Sequence, residues 1–218
     1  ARGKIVTFRC ETCLKNWILT DDGLRALDVF RAEVPAPGQG EPLFLPFWTI
    51  PFDSSALARR LQEAATPEKA ASGGEVQALL RRITEREVHY VFIPAFRSDN
   101  THTLLKIGRL LTSRQPRFTA SRTGSSGPAV SCALQPGQAA CLAETVFIAA
   151  LPGSIRQNGS LLERIDLRSS SPPRLVEFPF LRTGNALRCL CGDLEVSSRL
   201  IENGSLQEPA GAPHRSAV

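Results

Sequence analysis

The residues of this chain best suited to chemistry are its six cysteines, Cys10, Cys13, Cys132, Cys141, Cys189 and Cys191. Cys10 and Cys13 form a C-x-x-C pair. Two thiolates at that spacing in a tight turn can bind one tetrahedral zinc, but a closed structural site needs four ligands. The pair is therefore half of a metal site. Cys189 and Cys191 are candidates for the other half, because residues at i and i+2 of a strand share a face. The same spacing equally suits two cysteines packed on a core, where this residue type is often found. A redox reading of Cys10 and Cys13 requires a helix running straight on from the motif to lower the first thiol's pKa. Thr20-Asp21-Asp22-Gly23 stops any such helix after about two turns.

A second group, Arg97, Asp99, Asn100 and His102, follows an apolar segment. Loops at strand ends commonly carry binding groups, so these four are candidate contacts for a ligand or partner. The plainer role is capping of the helix that follows. His89 enters an expected strand and His214 lies near the C-terminus, neither beside a serine or cysteine motif. The sequence contains no G-x-x-x-x-G-K and no G-x-G-x-x-G to cradle phosphate. Asn158-Gly159-Ser160 and Asn203-Gly204-Ser205 read as turns. No catalytic constellation emerges, and an enzyme ranks behind the two binding functions below.

Three apolar segments must position these groups: Leu43 to Phe52, Val91 to Arg97 and Leu175 to Phe180. Each carries proline followed closely by phenylalanine. Proline has no N–H and fixes φ, which confines it to edge strands, strand ends or bulges. The expectation is that each proline marks the end of a buried strand, with Phe47, Phe96 and Phe180 anchored in one interior. Between these segments, 3.6-residue spacing predicts helices from Ser54 to Ala65, Glu75 to Glu87, Thr101 to Ser113 and Ala139 to Ala150. The last should turn Leu142, Val146 and Phe147 inward. Leu24 to Val34 is read as strand, as are Leu161 to Leu167, Arg174 to Arg182 and Ala186 to Cys191. Thr183-Gly184-Asn185 supplies a hairpin turn, and Asp193 to Ile201 is read as a short helix.

Composition sets the outer bounds. A chain of 218 residues with 42% hydrophobic and 22% charged residues is ordinary for a globular protein with a sizeable core. The net charge is +5 and the pI about 9.1. That permits contact with nucleic acid, but the basic residues are dispersed. Arg59-Arg60 and Arg81-Arg82 read as solvated helix faces. No apolar run has the length of about 20 residues that a spanning helix requires, and no secretory signal opens the chain. A cytoplasmic setting with reduced cysteines follows as the expectation.

A C-x-x-C knuckle, Trp17 four residues on, Leu45 to Trp48, Ile93 to Arg97 and, more loosely, Leu175 to Phe180 together resemble a group of poorly characterised bacterial proteins. These begin with a zinc ribbon and continue into a domain with Pro-Phe-Trp and Pro-Ala-Phe motifs. The resemblance implies that Cys10 and Cys13 are the second knuckle of a structural zinc site whose partner pair lies upstream of Ala1. The absence of methionine and the start on Ala1-Arg2-Gly3-Lys4 agree with a missing beginning. Leu14 stands where such a knuckle usually has glycine. The resemblance supplies no catalytic residues.

The expected architecture is an α+β fold, proline-bearing β-strands packed with amphipathic helices and preceded by part of a zinc ribbon. It divides into a partial ribbon (1–34), a first α+β unit (41–117), a flexible linker (118–138), a second α+β unit (139–206) and a disordered tail (207–218). The expected function is that of a non-catalytic protein-interaction or assembly module, an accessory subunit with a structural zinc half-site. The alternative is a zinc-ribbon nucleic-acid-binding protein. Against it, aromatic residues make up only 6% of the chain and no basic–aromatic stripe is present for base stacking.

Overall fold

The computed structural model describes residues 7–10, 12–13, 15–20, 22–33, 40–64, 73–84, 88–122, 129–163, 165–167, 169–201 and 206–207. Thr7–Arg9 (β1), Asn16–Thr20 (β2) and Gly23–Leu27 (β3) form a small antiparallel sheet in the order β1-β2-β3. Val29–Ala32 (β4) leaves it for a larger sheet. The larger sheet also takes Leu43–Asp53 (β5), Val88–Pro94 (β6), Ala120–Arg122 (β7), Ala129–Val130 (β8) and Arg174–Thr183 (β9). Ala186–Cys189 (β10), Glu195–Ser197 (β11) and Leu206–Gln207 (β12) complete its nine strands among the described residues. The helices are Ser54–Ala64 (α1), Gly73–Thr84 (α2), Thr101–Arg114 (α3) and Pro136–Ala150 (α4), with single turns at Gly153–Arg156 (α5) and Gly159–Leu162 (α6). The fold is α+β.

The antiparallel pair β5 and β9 is the spine of the large sheet, and each has two short neighbours laid end to end on its outer side. Along β5, β8 meets Phe44 and β6 takes over from Phe47. Along β9, β4 covers Leu175 to Glu177 and β10 covers Phe180 to Thr183. Pro46 and Pro179 sit at these changeovers. The carbonyl of Pro46 accepts from the N–H of Ala95 (2.9 Å), one residue past the end of β6. The carbonyl of Pro179 accepts from Leu190 (2.9 Å), one residue past the end of β10. Pro51 follows the same logic: its carbonyl accepts from Ser170 (3.1 Å), beyond the last β5–β9 pair. Pro46, Pro51 and Pro179 therefore lie inside long strands rather than at their ends, which corrects the sequence expectation for them, whereas Pro94 does end its strand as expected. For those three the strand that ends is the neighbour, so the missing N–H has nothing to donate to and costs nothing.

Edge strand β6 is sealed by α3. The N–H of Phe92 donates to Thr112 Oγ1 (3.1 Å) and that of Tyr90 to Gln115 Oε1 (3.0 Å), while Gln115 Nε2 donates to the Tyr90 carbonyl (2.6 Å). The next outward position is Pro94, which has no N–H to satisfy. Gly108 allows this close approach, since a Cβ there would lie 2.7 Å from the Phe92 carbonyl oxygen. An edge blunted in this way cannot recruit a further strand.

Both faces of the spine are covered, and every residue from Leu43 to Phe52 is buried. On one face Trp48, Ile50, Val91 and Ile93 pack with Leu57 and Leu61 of α1, Leu80 and Ile83 of α2, and Val146 and Phe147 of α4. On the other, Leu45, Phe47, Phe178 and Phe180 pack with Ile107 and Leu111 of α3 and with Leu187 and Cys189. Phe47 makes an edge contact with Phe96 (5.8 Å between ring centres) and stacks parallel to Phe180 (6.3 Å). The three proline-bearing segments thus do share one interior. Arg31 and Glu177, paired across parallel β4 and β9, form a 2.7 Å ion pair whose side chains are only 12% and 13% exposed. The Arg31 guanidinium also lies over the Phe44 ring at 3.7 Å.

Several expectations are corrected. The described part of the 118–138 segment is not a linker: β7 and β8 lie in the large sheet, and Phe96 bridges to Cys132. The two expected α+β units therefore share one sheet through β5 and β9, and β4, expected within the ribbon segment, belongs to that sheet too. Leu161 to Leu167 is not a strand, because α6 takes its start and no strand forms over Ile165 to Leu167. Instead of a helix, Asp193 to Ile201 holds β11 and a 3-10 turn, Ser198–Leu200. Leu142 is exposed on α4, while Val146 and Phe147 are buried. Arg59 is exposed, as a solvated face requires, but Arg60 Nη1 donates to Asp166 Oδ2 at 2.8 Å. His214 and the 207–218 tail, except Gln207, lie outside the described residues.

Candidate functional site: a cysteine turn and an apolar sheet face

Cys10 and Cys13 lie in the turn between β1 and β2. The N–H of Cys10 donates to the Lys15 carbonyl (2.9 Å), which closes the turn one step beyond the Arg9–Asn16 pair. The backbone N–H and the thiol of Cys13, followed by the N–H of Thr12, point at the Cys10 sulfur and lower its pKa from the ordinary 9.0. N–H donors gathered on one sulfur stabilise a thiolate, the form that binds a metal. Cys13 itself is exposed. The donor set thus fits zinc but supplies only two of the four ligands that a structural site needs. Among the described residues, no cluster of three or more His, Cys, Asp or Glu side chains could hold a metal ion.

Cys189 and Cys191 are not brought to this turn. Strand β10 ends at Cys189, so the i, i+2 alternation does not extend to Cys191. Cys189 is buried in the core, as the alternative reading has it, and burial raises its pKa. The Cys191 thiol donates to the Glu33 carbonyl (3.6 Å) and is pushed up to about 12, by burial first and then by Cys189. Both favour the protonated thiol over the metal-binding thiolate.

Of the four residues after β6, Asn100 acts at the start of α3. Asn100 Oδ1 accepts from the Thr103 N–H (3.0 Å), an N-cap, and the Asn100 N–H donates to Ser98 Oγ (3.2 Å). Asp99 and His102 are exposed, and Arg97 is half-buried. Of the four, only Asn100 lines the cleft of about 450 Å³ between α3 and the 3-10 turn, together with Thr103, Lys106, Glu195 and Arg199. His89 is buried beside the Phe52 ring, 5.7 Å between centres.

The small sheet has a feature that sequence reasoning missed. Phe8 pairs with Trp17, Trp17 with Ala26, and Leu19 with Leu24, which places all five on one face. The opposite face carries Thr7 and Ile18, which anchor the sheet. The Cys132 N–H donates to Thr7 Oγ1 (3.2 Å), and Ile18 is buried in the core cluster that includes Val29 and Trp48. The five-residue apolar face therefore turns outward, with Phe8 45%, Leu19 47% and Leu24 50% exposed. Alternation in Gly-Leu-Arg-Ala-Leu would have put Leu24 and Ala26 inside and Arg25 outside. The register of the hairpin reverses that assignment.

Comparison with known protein families, curated proteins and solved structures finds no match to this chain. Among the described residues, no helix is long and apolar enough to cross a membrane.

Proposed function

We propose that the protein is a non-catalytic interaction and assembly module, an accessory subunit of the cytoplasm, whose small sheet docks a protein partner. The Cys10–Cys13 turn holds a structural zinc that stiffens this sheet and is completed by ligands from outside the described residues. The observation supporting this reading is the outward apolar face of Phe8, Trp17, Leu19, Leu24 and Ala26 on the sheet that carries the turn. Contiguous apolar surface of this kind marks interaction sites. Nucleic acid would instead need cations interleaved with the aromatics. Arg25 lies on the other face, bound to Asp22 at 2.9 Å.

The test is in-cell crosslinking from a photoreactive residue placed at Leu24. The expected result is one recurrent protein adduct that disappears when Leu19→Lys is added. Adducts to RNA or DNA that weaken steeply with salt would favour the nucleic-acid function. A uniform absence of adducts would overturn both.

A further inference from the structure

We infer that the cleft between α3 and the 3-10 turn is a binding site for a small organic monoanion, a carboxylate carried on an apolar body. The walls come from α3, β11 and the 3-10 turn, and the docking face of the small sheet takes no part in them. The volume of about 450 Å³ falls within the range of about 300–1,000 Å³ that small-ligand sites occupy. The deeper lining is apolar: Ile107 and Val196 are buried, and Leu110 and Leu200 are half-buried. A ligand covering these four side chains gains from the apolar surface it removes from water.

The outer lining sets the charge of the ligand. Lys106, Arg199 and Glu195 are exposed there, and two cations with one carboxylate leave a net charge of +1. One negative charge balances it. A phosphate monoester, with about −1.5 to −2 at neutral pH, would meet Glu195 with charge left over. The uncharged polar groups favour the same ligand. Asn100 Oδ1 already accepts from the Thr103 N–H (3.0 Å), and Ser197 Oγ accepts from the Arg199 N–H (3.4 Å). Oxygens occupied in this way leave an amide NH2 group and a hydroxyl hydrogen to donate, and donors of this kind suit the oxygens of a carboxylate.

The test titrates the full 218-residue chain with naphthoate, naphthyl phosphate, neutral naphthamide and acetate, followed by calorimetry and by amide shifts in NMR. Naphthoate should bind most tightly, with the shifts concentrated at residues 100–110 and 195–200. Naphthamide, which lacks the charge, and acetate, which lacks the apolar body, should each bind at least about tenfold more weakly. Lys106→Gln and Arg199→Gln should each weaken naphthoate about fivefold, the scale of one exposed charge pair. Neither should alter naphthamide binding or the circular dichroism of these exposed-site variants. Glu195→Gln should strengthen naphthyl phosphate more than naphthoate. Equal binding of naphthoate and naphthamide would overturn the anion assignment, and equal binding of naphthoate and acetate the apolar body. Tighter binding of the phosphate would overturn the single charge. Failure of all four probes to bind at millimolar concentration, or shifts centred elsewhere, would overturn the site itself.

Discussion

The two sheets of this protein solve the same problem in opposite ways. In the large sheet, burial is complete from Leu43 to Phe52, the N–H groups along the β6 edge are met by Thr112 and Gln115, and the prolines stand where no donor is required. The composition of its spine is fully explained by stability. In the small sheet, Ile18 and Thr7 secure one face while Phe8, Leu19 and Leu24 face water. Folding gains little from those three side chains as they stand. An apolar residue that folding does not need calls for an explanation outside the folded chain, which is why the proposed function is placed on the small sheet.

Mutations should separate the two regions. The largest effect is expected at Phe47, whose ring touches those of Phe96, Phe178 and Phe180. Phe47→Ala should cost about 4 kcal/mol in urea unfolding, as for other buried rings. Glu177→Ala removes the carboxylate of the 2.7 Å ion pair with the largely buried Arg31 and should cost about 3 kcal/mol by the same measure. Gly108→Ala drives a methyl group against the Phe92 carbonyl and should cost about 2 kcal/mol, with faster amide exchange at Tyr90 and Phe92 as α3 lifts from the edge.

Cys132 has an effect confined to alkali. Burial pushes its thiol up to about 12 from 9.0. Above the lower value the unfolded chain releases this proton while the folded chain keeps it, so stability falls as pH rises from 9.0 toward 12. Cys132→Ala should flatten that part of the thermal-stability profile. The smallest effect on stability belongs to the other sheet. Leu24→Ser should change unfolding free energy by less than about 0.5 kcal/mol while weakening association. A loss of several kcal/mol there would mean that the face serves folding, and the contrast between the sheets would collapse.

Much of the large sheet was legible because its signals are local. Proline beside phenylalanine located the spine, and helical periodicity located α1 to α4 to within a few residues. What was not legible depends on pairing between distant segments. The position of Pro46 relative to the end of β6 is set by residues 47 and 94 meeting, which no short window contains. The outward face of the small sheet depends on which side of a three-strand hairpin meets the core, and alternation within one strand does not fix that. Of the candidate site, the C-x-x-C spacing was readable, but the apolar surface beside it was not.

The placement of Pro46, Pro51 and Pro179 also limits how the spine can mispair. If β5 slid past β9 by two residues, every side chain would keep its face, and hydrophobicity alone would not object. Pro51, which faces the β9 side, would then lie opposite Arg174 and lay a ring without a hydrogen where that ladder asks for a donor. Pro46 and Pro179 set the same limit on the short strands along the outer sides. The three rings therefore act as tooth and notch, making the near-miss alignments of a long apolar ribbon costly during assembly and leaving one alignment that every backbone group accepts.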